Sequence, residues 1–257
     1  MPDRNPEDKA IPTNLRLLLL LEELAKFGVP VNPTTANENL GLPKPTVHRL
    51  FQTLEEEGFL QRDLDGRSYS PGRRLRRMAV DVLSSSRVRV VRLQVLTALA
   101  DEIGETCNIA TPDRDAMVYL DRVETKWPLR IQFPIGTAVP FHCTASGKMY
   151  LSSLPRRHIE RYLASAKLER QTGRTLVDPD ALGRELAQIS ERGYATDDEE
   201  FLEGMVALAV PIYGNGKRLV STLSVQSPSL RSPLAGLMNH LDRLKEAATN
   251  LSELMLK

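Results

Sequence analysis

Residues 41–63 read GLPKPTVHRLFQTLEEEGFLQRD, and this stretch decides the fold of the N-terminal part of the chain. Gly41 suits a tight turn, and a helix begins after it around Pro43 to Pro45, where proline fits the first helical position. The apolar residues of this helix share one face: Val47, Leu50, Phe51 and Leu54. The stretch therefore predicts the later helix of a helix-turn-helix unit.

The flanking residues complete a winged version of this unit. Upstream, a leucine-rich helix ends at Gly28, and Asn32-Pro33 begins a short helix with a capping side chain and a proline. Downstream, Asp65-Gly66 is a typical turn between two short strands. We therefore expect a winged helix-turn-helix at residues 11–71, after a polar tail at residues 1–10.

Seven side chains of this unit have the chemistry of DNA recognition. A recognition helix presents its N-terminal half to base edges, while neighbouring cations hold phosphates. We expect base or phosphate contacts from Lys44, Thr46, His48, Arg49 and Gln52. We expect Arg62 and Arg67 on the wing to contact phosphate or enter the minor groove. The acidic run Glu55-Glu56-Glu57 must then point away from DNA, and a protein-interaction module stays the alternative.

Composition limits the remaining possibilities. With 257 residues, of which 41% are apolar and 26% charged, the chain is long enough for two domains. Its formal net charge is +1, so any basic surface for nucleic acid must be local. Cys107 and Cys143 have no CxxC spacing, which disfavours a disulfide framework or structural zinc and fits a reducing cytoplasm. The leucine run from Leu17 is interrupted by Glu22 and Glu23, so we expect neither a signal peptide nor a membrane span.

The rest of the chain predicts a linker helix and a mixed domain. Gly72 opens an arginine-rich helix that ends at the serines of residues 84–86, which places a linker at residues 72–86 and a second domain at residues 87–257. A helical stripe then precedes Gly104: Val88, Val91, Val95, Leu99 and Ile103. Strands are predicted at residues 107–110, 117–123, 129–134, 206–213 and 219–226, with turns at Pro112-Asp113 and Gly214-Asn215-Gly216. A final apolar stripe, suited to a core or an interface, comprises Leu234, Leu237, Leu241, Leu244, Ala248 and Leu251, and the class is α+β.

Segments in a characteristic order resemble the IclR family of transcriptional regulators over nearly the whole chain. They are residues 41–63, then GETCNIATPDRDAMVYLDRVE from residue 104, FHCTASGKMYLSSLP from residue 141, ERGYATDDEEFLEGMVALAVPI from residue 191 and LVSTLSVQSPSLR from residue 219. The resemblance implies a winged helix-turn-helix, a linker helix and a GAF-like effector-binding domain with a curved antiparallel sheet. It also implies homodimers or tetramers on double-stranded operator DNA, with an affinity controlled by a small organic effector, either a carboxylate or an aromatic.

By the same resemblance, the effector pocket combines apolar walls with polar anchors: Ile131, Ala145, Ser146, Asp197, Met205, Ala207, Ser224 and Gln226. The string Thr144-Ala145-Ser146-Gly147 leads into a helix, whose unpaired N–H groups favour an anion such as an effector carboxylate. A helix N-cap is the structural alternative for Ser146, and a loop cap is the alternative for Asp197. Asp197 would repel an anion unless it binds through a ligand hydroxyl, a water or its own protonated form.

The chain departs from the family pattern at two places, one of them a pair of residues. Pro45 stands where serine or threonine is common, so a side-chain cap is absent there. Val206 and Ala207 stand where arginine and cysteine are common, which makes the expected pocket wall more apolar.

The sequence offers little for catalysis. Ser146-Gly147-Lys148 lacks the first glycine and the hydroxyl residue of a phosphate-binding loop, and no GxSxG, HExxH or GxGxxG string occurs. We therefore expect no enzyme activity, no cofactor and no metal, although His142, Cys143 and Asp197 could hold zinc if the fold brought them together. The alternative function is a ligand-independent DNA-binding protein whose second domain only oligomerises.

Overall fold

The computed structural model describes residues 11–63, 65–83, 86–128, 130–214 and 218–255. The tail predicted at residues 1–10 lies outside them. The chain divides into two compact units between Val82 and Leu83. Among the described residues, no helix is both long enough and apolar enough to cross a membrane.

The N-terminal unit is a winged helix-turn-helix followed by a further helix. Its elements are α1 (Arg16–Phe27), α2 (Pro33–Ala36), α3 (Lys44–Glu56), β1 (Leu60–Arg62), β2 (Tyr69–Pro71) and α4 (Arg73–Leu83). Gly28, at a φ of 68°, ends α1, and the Asn32 side chain accepts a hydrogen bond from the N–H of Thr35 at 2.9 Å, which confirms the predicted stop and cap. The short helix was expected to extend to about Leu40-Gly41, but α2 ends at Ala36 and turns carry the chain to Gly41.

The core of this unit joins its helices to the wing. The side chains of Leu20 on α1, Phe51 on α3 and Leu60 on β1 are each almost fully buried in one apolar cluster. Strands β1 and β2 pair antiparallel, and Val31 forms an isolated bridge to Tyr69. At the wing turn, Oδ1 of Asp65 accepts hydrogen bonds from the N–H groups of Arg67 and Ser68 at 2.8 and 2.7 Å. The wing is therefore built as a short, side-chain-braced hairpin.

The C-terminal unit is a six-stranded antiparallel sheet between two layers of helices. Its elements are α5 (Ser86–Ile103), β3 (Thr106–Asp113), β4 (Ala116–Val123), β5 (Ala138–Pro140), α6 (Ala145–Ser152), α7 (Arg156–Ser165), α8 (Pro179–Arg192), β6 (Ala195–Asp198), β7 (Met205–Tyr213), β8 (Leu219–Pro228), α9 (Leu234–Met238) and α10 (Leu241–Met255). The strand order is β5-β4-β3-β8-β7-β6, with every pair antiparallel. The expected α+β class is confirmed.

The two faces of the sheet bury different side chains. Ile109, Leu208 and Val225 belong to a cluster with α5, α9 and α10. Ala207 and Ala209 belong to a cluster with α6, α7 and α8 on the opposite face. Successive strand residues point to opposite faces, so burial on both sides explains why the central strands are almost continuously apolar.

Two local predictions in this unit were wrong. Residues 130–134 form no strand, and Leu129 lies outside the described residues. The backbone joins the β4 edge only later, where Tyr119 exchanges hydrogen bonds with the backbone at Gly136 and Thr137, just before β5. The β3–β4 turn lies at Arg114, which has a φ of 53°, and Pro112 is inside β3. Proline is tolerated there because pairing with β8 has already ended.

The apolar stripe predicted on α5 was also partly wrong. Among the α5 side chains that the structure describes, at residues 89–103, the buried ones are Arg92, Leu96, Leu99 and Ala100, whereas Val91 is 37% exposed. The side chain of Val88 lies outside this range. Arg92 is 1% exposed, and its Nε donates a 2.7 Å bond to Asp121, which is itself fully buried on β4. A pattern of apolar residues alone could not place an arginine in this layer.

We expect Asp121→Asn to destabilise the full-length protein by about 3–5 kcal/mol, because it leaves the Arg92 charge buried without a counter-charge. The matched control is Asp101→Asn, whose partner Lys126 is 90% exposed and whose loss should cost at most about 1 kcal/mol. Chemical denaturation measures both. Equal losses for the two variants would show that the buried pair adds nothing beyond a surface pair.

Candidate functional sites

The exposed side of α3 carries the side chains predicted to meet DNA. Lys44, His48 and Arg49 are exposed, whereas Thr46 is half-buried. The helix begins at Lys44, and its N-cap residue is Pro43, which provides no side-chain cap. Pro45 lies inside the first turn, so the cap position is residue 43 and not residue 45 as expected. Within the part of the chain that the structure describes, Lys44, His48 and Arg49 have no side-chain hydrogen bond or ion pair. They therefore remain available to an external partner.

A surface depression of about 660 Å³ lies between α3 and the wing. It is lined by His48, by the wing residues Arg62 and Arg67, and by residues 32–35 at the start of α2. The fold thus brings together side chains from three elements that were predicted from separate parts of the sequence. Arg67 is exposed at the wing turn, and its side chain forms no hydrogen bond or ion pair with the described residues.

Two of the predicted DNA contacts are engaged within the protein. The Gln52 side chain donates to Oε1 of Glu56 at 2.9 Å. Arg62 donates from Nε and Nη2 to the two carboxylate oxygens of Glu55 at 3.1 and 2.7 Å, and from Nη1 to the Gly66 carbonyl at 3.1 Å. The guanidinium of Arg62 is thus fixed between α3 and the wing turn.

Two of the three carboxylates in the acidic run at the end of α3 are paired with arginines. Glu57 pairs with Arg74 at 2.8 Å, while Glu55 and Glu56 are held by the contacts with Arg62 and Gln52. Hydrogen bonding to Arg62 holds the pKa of the Glu55 carboxyl below its usual range. Within the described residues, only Glu56 of this run keeps a charge without a cationic partner, which reduces the repulsion of an approaching polyanion.

In the C-terminal unit, helix α6 begins deep inside the fold. Thr144 is its N-cap, accepting from the Gly147 N–H at 3.0 Å, so the alternative assignment of Ser146 as the cap was wrong. Ala145 and Ser146 are buried in the first turn. A Cβ on Gly147 would lie 2.3 Å from the carbonyl oxygen of Phe141, so only glycine permits this close approach. The N-terminal turn of α6 is thereby placed among buried residues.

The strand register gathers most of the predicted effector residues on one face. Asp197, Ala207 and Gln226 are directly opposite one another on β6, β7 and β8. Ser224 lies two residues from Gln226 and Met205 two residues from Ala207, so both share this face, the one that carries α6. Ile131 lies in a loop, where its carbonyl oxygen accepts a hydrogen bond from Arg122.

Asp197 is buried and caps the loop after β6. Its Oδ1 accepts from the N–H groups of Glu200 at 2.8 Å and Phe201 at 3.3 Å, as the loop-cap alternative anticipated. Burial, followed by the charge of Glu200, raises the pKa of Asp197 to about 7. Glu200 itself is paired with Lys148 of α6, which is 1% exposed. The site thus holds a buried carboxyl that titrates near neutral pH.

Arg122 and Asn108 extend this polar face and were missed by the sequence analysis. Nη1 of Arg122 donates to Asn108 Oδ1 at 2.7 Å, and Nη2 lies 3.1 Å from the Gln226 amide oxygen in the orientation that satisfies both groups. The guanidinium also lies near the rings of Tyr119 and Phe133, at 5.8 and 5.9 Å from their centroids. The available signal was a pair of adjacent charged residues, Asp121 and Arg122, inside an otherwise largely apolar strand.

The histidine and cysteine that could have held zinc are otherwise engaged. His142 Nε2 is hydrogen-bonded with the Glu169 carbonyl oxygen at 2.9 Å. Burial raises the pKa of the Cys143 thiol to about 12, which disfavours the thiolate that zinc requires. Within the described ranges, no three His, Cys, Asp or Glu side chains are grouped to hold a metal ion.

Comparison with known families gives matches to both units. The model described as "Bacterial transcriptional regulator IclR C-terminal" matches residues 80–253. The model described as "IclR helix-turn-helix domain" matches residues 15–64. Together they span the recognition helix, the sheet and its helices.

Individual proteins are similar to this chain along almost its whole length. A protein named probable transcriptional regulator SauR, from Cupriavidus necator, is 38% identical over 237 residues, covering 92% of this chain and 94% of that protein. The crystal structure of the Thermotoga maritima IclR has a TM-score of 0.63 at 28% identity, covering 95% of this chain and 98% of that one. An IclR homolog from Microbacterium hydrocarbonoxydans, crystallised with 4-hydroxybenzoate, shares the fold with a TM-score of 0.61 at 23% identity, covering 95% and 99%.

The raised pKa of Asp197 predicts a pH-dependent stability. The folded-state pKa of about 7 exceeds the ordinary value of 3.8, so the stabilising contribution of this group is lost as pH rises from about 4 to 7. Asp197→Asn keeps the oxygen that caps the loop but does not titrate. We therefore expect the free energy of unfolding of the variant, relative to that of the wild type, to rise by a few kcal/mol between about pH 5 and pH 7.5. The rise should be at most about 1.4 kcal/mol per pH unit. A constant difference in unfolding free energy across this range would contradict the assignment.

Proposed function

Because the chain belongs to the IclR family of DNA-binding transcriptional regulators, we propose that a small organic effector, bound on the α6 side of the sheet, controls its affinity for operator DNA. The convergence of Asp197, Ala207, Ser224 and Gln226 on the sheet face that carries α6 is the observation that supports this proposal most directly. A mixture of apolar walls and a few polar anchors is typical of a metabolite site.

The chemistry of this face favours an effector that carries a carboxylate group on an aromatic or aliphatic body. The first turn of α6 offers backbone N–H groups at the positive end of the helix dipole, next to Ala145 and Ser146. Met205 and Ala207 supply apolar surface, and Gln226 supplies a hydrogen-bonding amide. The relative crystallised with 4-hydroxybenzoate provides a ligand of this class on the same fold.

Asp197 suits an effector that also carries a hydroxyl group. As an ionised carboxylate it would accept a hydrogen bond from the hydroxyl, and in its protonated form it would donate one. Since its pKa is raised to about 7, both forms are accessible near neutral pH. The repulsion expected between a carboxylate effector and an ionised Asp197 is therefore relieved.

On the DNA side, we assign recognition to the exposed part of α3 and to the wing. Thr46, His48 and Arg49 would meet base edges in the major groove, while Lys44 and Arg67 would hold phosphates. A homodimer or tetramer would present recognition helices to half-sites about 34 Å apart, one turn of DNA. The effector and the operator would then influence each other's affinity reciprocally.

Arg49→Ala tests the DNA-reading surface. On a DNA site selected from a random pool with the wild-type protein, we expect full-length Arg49→Ala to bind about 10-fold or more weakly, because one bidentate base contact contributes about 1–3 kcal/mol. Arg156→Ala is the control, since this arginine is 92% exposed on α7 and forms only a surface pair. An Arg49→Ala protein with wild-type affinity and melting temperature would refute the assignment.

A thermal-shift series tests the effector site. We expect at least one of acetate, pyruvate, benzoate and 4-hydroxybenzoate to raise the melting temperature of the full-length protein in a saturable manner. Ala207→Val, which enlarges a side chain on the proposed wall, should reduce that rise, whereas Arg156→Ala should not. If no small carboxylate in a broader panel raises the melting temperature, the second domain serves oligomerisation alone and the protein binds DNA without a ligand.

A further inference from the structure

Arg62 was predicted to touch DNA, but its contacts indicate a different role. We propose that Arg62 is a positioning residue that fixes the angle of the wing against α3, and thereby sets where Arg67 meets the DNA. The inference rests on the proposed DNA-reading surface, since it concerns how that surface is held in shape.

The guanidinium of Arg62 bridges the two elements that read DNA. Its Nε and Nη2 bind both oxygens of Glu55 on α3, at 3.1 and 2.7 Å, in the planar two-bond geometry that only arginine provides. Its Nη1 donates to the carbonyl of Gly66 in the wing turn, at 3.1 Å. One side chain therefore ties the C-terminal half of α3 to the tip of the wing.

The same guanidinium lies against the core of the unit. Its central carbon is 4.9 Å from the ring centroid of Tyr69, which is 6% exposed. The Tyr69 ring packs edge-on against Phe51 of α3, with centroids 5.0 Å apart. The Tyr69 backbone exchanges hydrogen bonds with Val31 at 2.8 and 3.0 Å. Arg62 thus packs on a residue that is already immobilised by α3 and by the chain before α2.

Charge separates the roles of Arg62 and Arg67. The positive charge of Arg62 is matched by Glu55, whose pKa is lowered by their hydrogen bonds. The net attraction of Arg62 for phosphate is therefore small. Binding a phosphate instead would require Arg62 to leave a two-bond carboxylate contact. Arg67 has no such partner within the described residues. The phosphate-binding cation of the wing is therefore Arg67.

Salt dependence distinguishes a brace from a phosphate contact. Each phosphate contact that is lost lowers the slope of log affinity against log salt by about 0.9. Without the brace the wing shifts, but Arg67 still meets a phosphate, so the geometry of binding changes while the number of released counterions does not. Loss of Glu55 should then have the same effect as loss of Arg62, although the two carry opposite charges.

The experiment measures operator affinity of full-length Arg62→Gln, Glu55→Gln, the double variant and Arg67→Gln at several salt concentrations. We expect Arg62→Gln and Glu55→Gln each to bind about 3- to 10-fold more weakly than the wild type, with an unchanged slope of log affinity against log salt. The double variant should bind no more weakly than whichever single variant binds more weakly. Arg67→Gln should lower the slope by about one. The inference is overturned if Glu55→Gln binds as tightly as the wild type, or if Arg62→Gln lowers the slope by about one.

Arg62→Lys gives a second, conservative test. Lysine keeps the charge but cannot form the two-bond contact, so we expect it to behave as Arg62→Gln does. Because the wing holds phosphate, affinity should fall in these variants at an unchanged salt slope, while the base preference beneath α3 persists. Loss of a base contact or of a phosphate contact would not produce this combination. Wild-type affinity for Arg62→Lys would overturn the inference. If Arg49→Ala and Arg67→Gln also bind normally, the proposed DNA-reading surface itself is wrong.

Discussion

The pairing of β3, β8 and β7 is the constraint on which the C-terminal unit depends. Strand side chains alternate between faces, so the register that buries Leu208 and Val225 beside α5 and α10 also turns Ala207 and Gln226 to the α6 side. A slip of one residue would exchange the two sets. The polar side chains would then be buried in an apolar layer, at a cost in free energy. This cost fixes the register that forms the candidate effector site.

Buried charge pairs tie the helices to this sheet at two points. Arg92 of α5 binds Asp121 of β4 on one face, and Lys148 of α6 binds Glu200 after β6 on the other. Such pairs add little net free energy compared with apolar packing, but separating their members is costly. Strand β4 is notable because Asp121 and Arg122 are adjacent and point to opposite faces, so a single strand carries contacts to α5 and to the candidate site.

In the N-terminal unit, charge is arranged so that a nearly neutral chain presents a cationic surface. At the end of α3, Glu55 is paired with Arg62 and Glu57 with Arg74, while Glu56 accepts a hydrogen bond from the neutral amide of Gln52. Lys44 and Arg49 have no counterpart within the described residues. Local pairing of the acidic groups thus leaves an unpaired basic face at the start of α3, where a recognition helix approaches DNA. The formal charge of the whole chain, +1, conceals this separation.

The sequence by itself determined the local elements and the family. The stop at Gly28, the Asn32 cap and the recognition helix depend on residues within a few positions of one another, so they could be recognised from the sequence. The resemblance supplied the positions expected to line the effector pocket. It could not show that Asp197, Ala207 and Gln226 are directly opposite one another, because strand register is a long-range property.

Only the tertiary structure decided which polar side chains are engaged. Arg62 is a cation on the wing, as expected of a DNA contact, yet its guanidinium is bound to Glu55. Arg122 is a charged residue, a type usually exposed, yet it is bound to Asn108 and lies against Gln226. The burial of Arg92 and the absence of a strand at residues 130–134 were likewise set by partners on β4. A charge is stabilised by the groups that fold around it, and those groups lie far away along the chain.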